Sequence, residues 1–97
     1  MREPSFGEYI RKLRGRKQEP LRRVAASLDI DPSTLGKIER NTRKPTKDLI
    51  AGIGKFYGVA EEELLVYHLS DKIADELRGF SKNREVLREA RRKLKNH

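Results

Sequence analysis

The sequence of 97 residues predicts an all-α fold on three observations. Apolar residues recur at intervals of three or four along most of the chain, and no segment alternates with the period of two that is typical of a strand. Residues that favour helix ends stand between these apolar runs. The chain has no internal repeat or low-complexity tract, so its length predicts one small domain with an extension.

Two capping signals predict the first two helices. Ser5 and Glu8 have the spacing of a capping box, which places a first helix at roughly residues 6–15. Pro20 suits the first turn of a second helix, because its missing N–H is not needed there. The apolar residues of these two helices fall on one side at helical spacing: Phe6, Ile10, Leu13, Val24, Ala25 and Leu28.

The third and fourth helices have signals at both ends. Asp31 as N-cap followed by Pro32 predicts the third helix, and Asn41 ends it because asparagine tolerates the left-handed conformation. Thr46 is the predicted cap of the fourth helix, which Gly58 closes. The inward-facing residues predicted here are Leu35, Ile38, Leu49, Ile50, Ile53, Phe56 and Tyr57.

The last part of the chain predicts two or three further helices. Three carboxylates at 61–63 favour a helix N-terminus, and the apolar residues that follow repeat every four positions. This segment is one long helix or two, with Ser70 and Asp71 as a restart point, and Gly79 ends it. Ser81 is the predicted cap of a final helix with Val86, Leu87, Ala90 and Leu94 on one side.

The net charge of +8 is divided unevenly along the chain. Residues 9–55 have thirteen Lys and Arg against five Asp and Glu, residues 56–80 have two against six, and residues 81–97 have seven against two. The basic charge of residues 9–55 indicates a polyanionic partner for that segment. The alternative is that these charges only make the surface more soluble.

Composition also excludes several classes of protein. The chain has no cysteine, so it cannot form disulfides or thiolate metal sites, and a cytoplasmic location is predicted. No apolar run approaches the ~20 residues of a membrane span. The first residues lack the apolar region of a secretory signal, so we expect no leader peptide and no membrane partner.

Residues 21–40 predict two short helices joined by a tight turn, with Ala25 small enough for the inner corner. This pattern resembles the helix-turn-helix, specifically the phage-repressor/Cro-type (XRE) family, over roughly residues 6–66. The segment 38–46, IERNTRKPT, is similar to the family signature IE-x-G-x-R-x-P. The resemblance implies a five-helix lambda-repressor-like domain at residues 1–69, followed by a helical extension at residues 70–97.

The chain departs from the family pattern at four positions. Asp29 replaces the glycine of the turn, where it is expected to adopt the left-handed conformation at some cost, and Asn41 replaces the glycine after the IER triplet. Leu21 stands where the family has a polar, phosphate-binding residue, and Glu19 stands where it has a hydrophobic one. Contact with DNA at the second helix is therefore expected from Arg22, Arg23 or the helix N-terminus.

The family resemblance implies that the third helix enters the major groove of DNA. Its small residues, including Gly36, are interpreted as allowing the backbone to approach the duplex. Lys37 is the predicted reader of guanine O6 and N7, and Thr34 is expected nearest the DNA backbone. The base-contacting set is Pro32, Ser33, Thr34 and Lys37, and the phosphate-contacting set is Arg22, Arg23, Asn41, Arg43, Lys44 and Lys47.

Arg14 and Glu39 resemble a structural salt bridge of the family that joins the first helix to the end of the third.

Other motifs are assigned no chemistry. The segment 52–55, GIGK, lacks the spacing of a phosphate-binding loop, so its glycines indicate close helix packing or an adjacent DNA backbone. His68 and His97 have no cysteine or neighbouring histidine to complete a metal site. We therefore predict no metal, no cofactor and no enzymatic activity.

The extension has more apolar residues than the domain needs to close its core. Three uses remain open for them: a subunit interface, a lid on the same core, or a docking site for another protein. A homodimer is favoured because this fold reads paired half-sites through two-fold symmetry. The candidate interface residues are Leu65, Tyr67, Leu69, Ile73, Leu77 and Phe80. The final basic helix is interpreted as a solvated tail, with a membrane-surface helix as the alternative.

The sequence thus predicts a transcriptional regulator, a repressor or controller protein, that binds a palindromic operator in double-stranded DNA as a homodimer. The alternative is a protein-interaction module, such as an antitoxin or antirepressor-type partner, whose C-terminal helices bind another protein. RNA binding is a third option, although an aromatic platform for single strands is not evident.

Overall fold

The computed structural model describes residues 4–96, which form six α-helices and no strand. The all-α class is confirmed. Four helices lie wholly in the predicted domain, the fifth runs from it into the predicted extension, and the sixth lies in the extension. The helices are α1 (Phe6–Arg16), α2 (Leu21–Ser27), α3 (Pro32–Glu39), α4 (Lys47–Tyr57), α5 (Glu61–Leu77) and α6 (Asn83–Lys95).

Local capping fixes where α1 and α4 begin. The backbone N–H of Glu8 donates to Ser5 Oγ, and the carboxylate of Glu8 accepts from the backbone N–H of Ser5 at 3.1 Å, so the predicted capping box is present. At α4 the backbone N–H of Leu49 donates to Thr46 Oγ1 at 3.2 Å. Both bonds satisfy N–H groups that the first turn of a helix leaves without a partner.

The start of α6 differs from the prediction. Lys82, rather than Ser81, occupies the N-cap position, and its side chain makes no capping bond. The Asn83 amide instead donates to the carbonyl of Phe80 at 3.0 Å, and this bond closes the turn that leads into α6. The helix therefore begins two residues after Ser81.

Three consecutive helices end in the same way, with a non-glycine residue in the left-handed region. These residues are Gln18 after α1, Asp29 after α2 and Asn41 after α3, with φ angles of 54°, 58° and 63°. After α2, the N–H of Ile30 donates to the carbonyl of Ala25 at 3.0 Å, which is the long bond of a Schellman motif. The predicted left-handed roles of Asp29 and Asn41 are thus present, and Gln18 adds a third.

The core gathers one apolar face from each of α1 to α5. Ala25 at the corner between α2 and α3 is completely buried, as the helix-turn-helix pattern requires. Leu64 is the residue by which α5 closes this core. The buried apolar side chains are Phe6, Ile10, Leu13, Val24, Ala25, Leu35, Ile38, Ile50, Ile53, Tyr57 and Leu64.

The start of α1 lies directly against the C-terminal end of α3. A Cβ atom on Gly7 would come within 2.4 Å of the carbonyl oxygen of Ile38 and 2.6 Å of that of Glu39. Asn41 secures the contact, because its Oδ1 accepts from the N–H of Gly7 at 3.1 Å and its Nδ2 donates to Ser5 Oγ at 2.7 Å. Glycine at position 7 therefore sets the distance between the two helices.

One continuous helix, α5, runs from the core into the predicted extension, so Ser70 and Asp71 do not restart it. The proposed division between residues 69 and 70 falls inside this helix. Asp71 accepts a hydrogen bond from the backbone N–H of Phe6 at 2.8 Å. A residue of the predicted extension therefore caps the first helix of the domain.

Aromatic contacts add to the attachment of α5 to α1. Tyr67 stacks on Tyr9 with ring centroids 4.3 Å apart, and His68 contacts Phe6 edge-on at 5.9 Å. The Tyr9 hydroxyl donates to the Glu63 carboxylate, which raises the pKa of Tyr9 to about 12. Burial lowers the pKa of His68 below its usual value, and the charge of the nearby Lys72 acts in the same direction.

The exposure of the predicted interface residues divides them into two groups. Leu65 and Tyr67 are half-buried and pack against the protomer's own core. Leu77 is half-buried. The side chains of Leu69, Ile73 and Phe80 remain about half exposed, at 48%, 50% and 49%.

Helix α6 projects from the rest of the protein, and none of its residues is buried. The radius of gyration is 15.3 Å, compared with the ~12.5 Å typical of a compact domain of this length. Among residues 4–96, no helix has the length and apolar content to cross a membrane.

We predict that Gly7→Ala destabilises the protein by about 1–3 kcal/mol, because the added methyl group would overlap backbone carbonyls that cannot move without displacing α3. Gly15→Ala in the same helix is the matched control, since a Cβ atom there meets nothing within 4 Å. We expect the control to raise stability by up to about 1 kcal/mol through helix propensity. Urea denaturation of both variants measures the difference, and equal effects would contradict the role of Gly7.

Candidate nucleic-acid interface

Helix α3 has one face buried in the core and one face open to solvent. Leu35 and Ile38 are each 1% exposed, whereas Ser33 and Lys37 lie on the exposed side. This division follows from the helical period, because residues 33 and 37 are one turn apart and point away from residues 35 and 38. The side chains predicted to read bases are therefore accessible to a duplex.

The other two predicted base-contacting residues differ in exposure. Pro32 is exposed at the first position of α3, where a missing N–H leaves no hydrogen bond unmade. Thr34 is half-buried, and its backbone N–H donates to the carbonyl of Asp31 at 3.0 Å. Asp31 occupies the N-cap position but makes no side-chain capping bond.

Gly36 does not face the open side of α3, which corrects its interpretation as a point of close approach to DNA. It is buried, and a Cβ atom there would lie 3.2 Å from Arg40 Nη1 and 3.7 Å from Leu21 Cδ2. The space that the glycine leaves is occupied by the Arg40 guanidinium, which folds back along α3 beside the first residue of α2.

Arg40 is a candidate that the sequence analysis did not assign. It is exposed, and residues 33, 37 and 40 share one side of α3 because they follow the i, i+4, i+7 spacing. Its sequence position could have identified it, because Arg40 follows Gly36 by four residues and lies on the face that holds Ser33 and Lys37.

Exposed basic side chains lie on α2, in the segment after α3 and at the start of α4. Arg23 forms an ion pair with Glu19 at 3.4 Å, but 71% of its side chain stays exposed. Lys47 is the first residue of α4, next to the capped N-terminus at Thr46. The exposed cations of the predicted phosphate-contacting set are Arg22, Arg23, Arg43, Lys44 and Lys47.

Arg14 and Glu39 form a two-pronged salt bridge between α1 and the end of α3. Arg14 Nε donates to Glu39 Oε2 at 2.8 Å and Nη2 donates to Oε1 at 3.1 Å. Arg14 Nη1 also donates to the carbonyl of Glu19 at 3.2 Å, which fixes the segment before α2. The hydrogen bond with Glu39 raises the pKa of Arg14 above its usual value.

The glycines of the segment 52–55 serve helix packing. A Cβ atom on Gly52 would lie 3.0 Å from Leu28 Cδ2, and one on Gly54 would lie 2.8 Å from the carbonyl oxygen of Val59. Within residues 4–96, no three His, Asp or Glu side chains group in a way that could hold a metal ion. His97 lies outside the described residues.

Comparison with known proteins identifies the family. The profile of the Helix-turn-helix family matches residues 8–64, which is more than half of the chain. The chain belongs to this family, of the XRE type. Members of the XRE-type helix-turn-helix family are DNA-binding transcriptional regulators rather than enzymes.

The fold of this XRE-type protein extends beyond the matched domain. It is similar to the crystal structure of the clp gene regulator ClgR from Corynebacterium glutamicum, with a TM-score of 0.60 and 20% sequence identity. The match covers 94% of this chain and 83% of ClgR, so the similarity in fold includes helices after residue 64. No curated protein matches the chain in sequence.

We predict that Glu39→Gln lowers the free energy of unfolding by about 3 kcal/mol, because it leaves the partly buried Arg14 cation without its partner charge. The value lies at the low end of the range for a buried pair, since the Arg14 side chain is 22% exposed. Asp75→Asn is the control: it breaks the surface pair with Arg78, in which both side chains are more than half exposed, and should cost less than about 1 kcal/mol. Thermal and urea denaturation compare the two variants. If Glu39→Gln lowers the free energy of unfolding no more than Asp75→Asn does, the pair of Arg14 and Glu39 does not stabilise the fold.

Proposed function

We propose that the protein is a sequence-specific transcriptional regulator, a repressor or controller protein, which binds a palindromic operator as a homodimer. The observation that carries this proposal is the orientation of α3. Its apolar side is fixed in the core, while Ser33 and Lys37 are exposed to solvent. A helix held in this way can insert its polar side into a major groove.

The proposed base-contacting residues are the exposed ones near the start and middle of α3. Lys37 is the principal reader, with guanine O6 and N7 as its acceptors. Ser33 can donate or accept a hydrogen bond, so it suits more than one base. Pro32 and Thr34 contribute van der Waals contacts with the DNA at the N-terminal end of α3.

Phosphate contacts would set the register of the protein on the duplex without selecting sequence. Arg22, Arg23, Arg43, Lys44 and Lys47 are the proposed contributors, and the exposed Arg40 is added to this set. Asn41 is left out, because both ends of its amide are already bonded to Ser5 and Gly7.

The homodimer is supported by the exposed apolar side of α5 and the turn after it. Leu69, Ile73 and Phe80 are each about half exposed, and Leu77 is half-buried next to them. Apolar side chains gathered at one end of a small protein indicate a protein–protein contact. A two-fold dimer would present two copies of α3 to a palindromic site.

A second candidate function uses the same surface for a different protein, as in an antitoxin or antirepressor partner. The observation that favours it is the exposure of α6, none of whose residues is buried. In that case the C-terminal helices would remain unpaired in solutions of this protein alone.

Selection of bound duplexes from a random pool, with light scattering of the complex, tests the proposed function. We expect an enriched palindrome and two chains per duplex. A protein that is monomeric both alone and on DNA would favour the second candidate. Enrichment of no sequence would contradict sequence-specific regulation.

We predict that Lys37→Ala weakens operator binding by ~1–3 kcal/mol and relaxes selectivity at one base pair in each half-site. Arg43→Ala should instead weaken all duplexes alike and lower the salt slope by about one, because a phosphate contact releases one counterion. Binding titrations over a range of salt concentrations distinguish the two behaviours. Lys95→Ala in α6 is the control for loss of a positive charge. If Lys37→Ala leaves base preference unchanged, Lys37 does not read a base.

A further inference from the structure

Helices α5 and α6 have matching apolar stripes. On α5, Val66, Leu69 and Ile73 are 67%, 48% and 50% exposed. The stripe on α6 is formed by Leu87, Ala90 and Leu94, all of them exposed. Both sets follow the same spacing of three and then four residues, which is the spacing of a seam between two packed helices.

The two helices also have opposite charges. In α5 there are six acidic residues and one basic residue, whereas α6 has six basic and two acidic residues. Interfaces between proteins are arranged so that a positive surface meets a negative one. The two helices therefore suit each other in net charge as well as in the spacing of their apolar residues.

The stripe of α6 does not pack on α5 of the same chain. None of the residues of α6 is buried, and Leu94 is 79% exposed. The turn from Leu77 to Asn83 directs α6 away from the domain, because Phe80 N–H bonds to the carbonyl of Leu77 and the Asn83 amide bonds to that of Phe80. A helix of 13 residues with an uncovered apolar side is thus held at a distance from the surface that fits it.

We propose that a second copy of this chain covers these surfaces, with α6 of each protomer packed along the Val66–Leu69–Ile73 stripe of its partner's α5. This exchange rests on the proposed homodimer and specifies how it is built. Because the contact is reciprocal, a two-fold axis satisfies both stripes of both protomers at once.

Charge argues against the two simpler pairings. If α6 packed on its symmetry mate, two strongly basic helices would lie side by side, and if α5 packed on its mate, two acidic helices would do so. Like charges placed together at an interface oppose association. The pairing of α6 with the partner's α5 is the arrangement in which each seam joins helices of opposite sign.

The natural absence of cysteine allows a direct test by disulfide trapping in the full-length protein. Chains with Leu69→Cys are mixed with chains with Leu87→Cys, allowed to exchange subunits, and oxidised. We expect a covalent dimer in the mixture and little in either variant alone. The control mixture pairs Leu87→Cys with Lys55→Cys, which places the second thiol at an exposed position on α4.

The possible results separate the exchange from the homodimer itself. Suppose that light scattering shows a dimer, but that disulfides form in the Leu69→Cys sample alone or in the Leu87→Cys sample alone. This result would overturn the exchange and leave the homodimer intact. A monomer by scattering at all concentrations would overturn both. A disulfide inside one chain of a Leu69→Cys, Leu87→Cys double variant, seen as a monomer on a non-reducing gel, would show that α6 folds back on its own α5.

A second measurement tests the physical basis of the contact. Leu87→Glu should raise the Kd of the dimer by about tenfold or more, because it removes a large apolar side chain from the seam. Lys55→Glu, a change of charge at an exposed position of α4 outside the proposed seam, is the control. High salt should also weaken the dimer, since the opposite charges of α5 and α6 are screened. A dimer unaffected by Leu87→Glu would contradict the proposed packing.

Discussion

The position of the recognition helix depends on one close backbone contact, where Gly7 of α1 lies against the last carbonyls of α3. Any larger residue would separate the two helices. The side chain of Asn41 crosses this junction, and Asp71 of α5 bonds to the adjacent N–H of Phe6. Three helices are therefore joined at the C-terminal end of α3. Its opposite end, which begins at Pro32, is free to meet a ligand.

The salt bridge of Arg14 with Glu39 fixes the same end of α3 from a different side. Glu39 is the one buried charged residue among those described, and a buried carboxylate is tolerated only when its partner is held in place. Arg14 also holds the carbonyl of Glu19, so one side chain connects the ends of α1 and α3 with the segment that precedes α2. These contacts give a short helix, with a glycine in its interior, a fixed orientation that its own propensity would not supply.

Much of the fold could be predicted because its signals are local. The cap at Ser5, the cap at Thr46 and the left-handed turn at Asp29 each depend on a few neighbouring residues. Contacts between distant residues were predicted only where the family resemblance implied them, as for Arg14 and Glu39. Nothing in the sequence indicates that Asp71 caps α1. Apolar spacing likewise does not indicate that Leu65 and Tyr67 pack against the protomer's own core while Leu69 and Ile73 stay about half exposed.

The continuity of α5 has a geometric consequence for any dimer built on its outer end. This helix of 17 residues is about 25 Å long, and Asp71 locks it to the body that carries α3. In such a dimer, α5 would therefore set the distance between the two-fold axis and the α3 helix of each protomer. Inserting one residue beyond Asp71 would advance the outer end by about 1.5 Å and rotate it by about 100°, so the length of α5 would determine the helical phase at which two half-sites are read together.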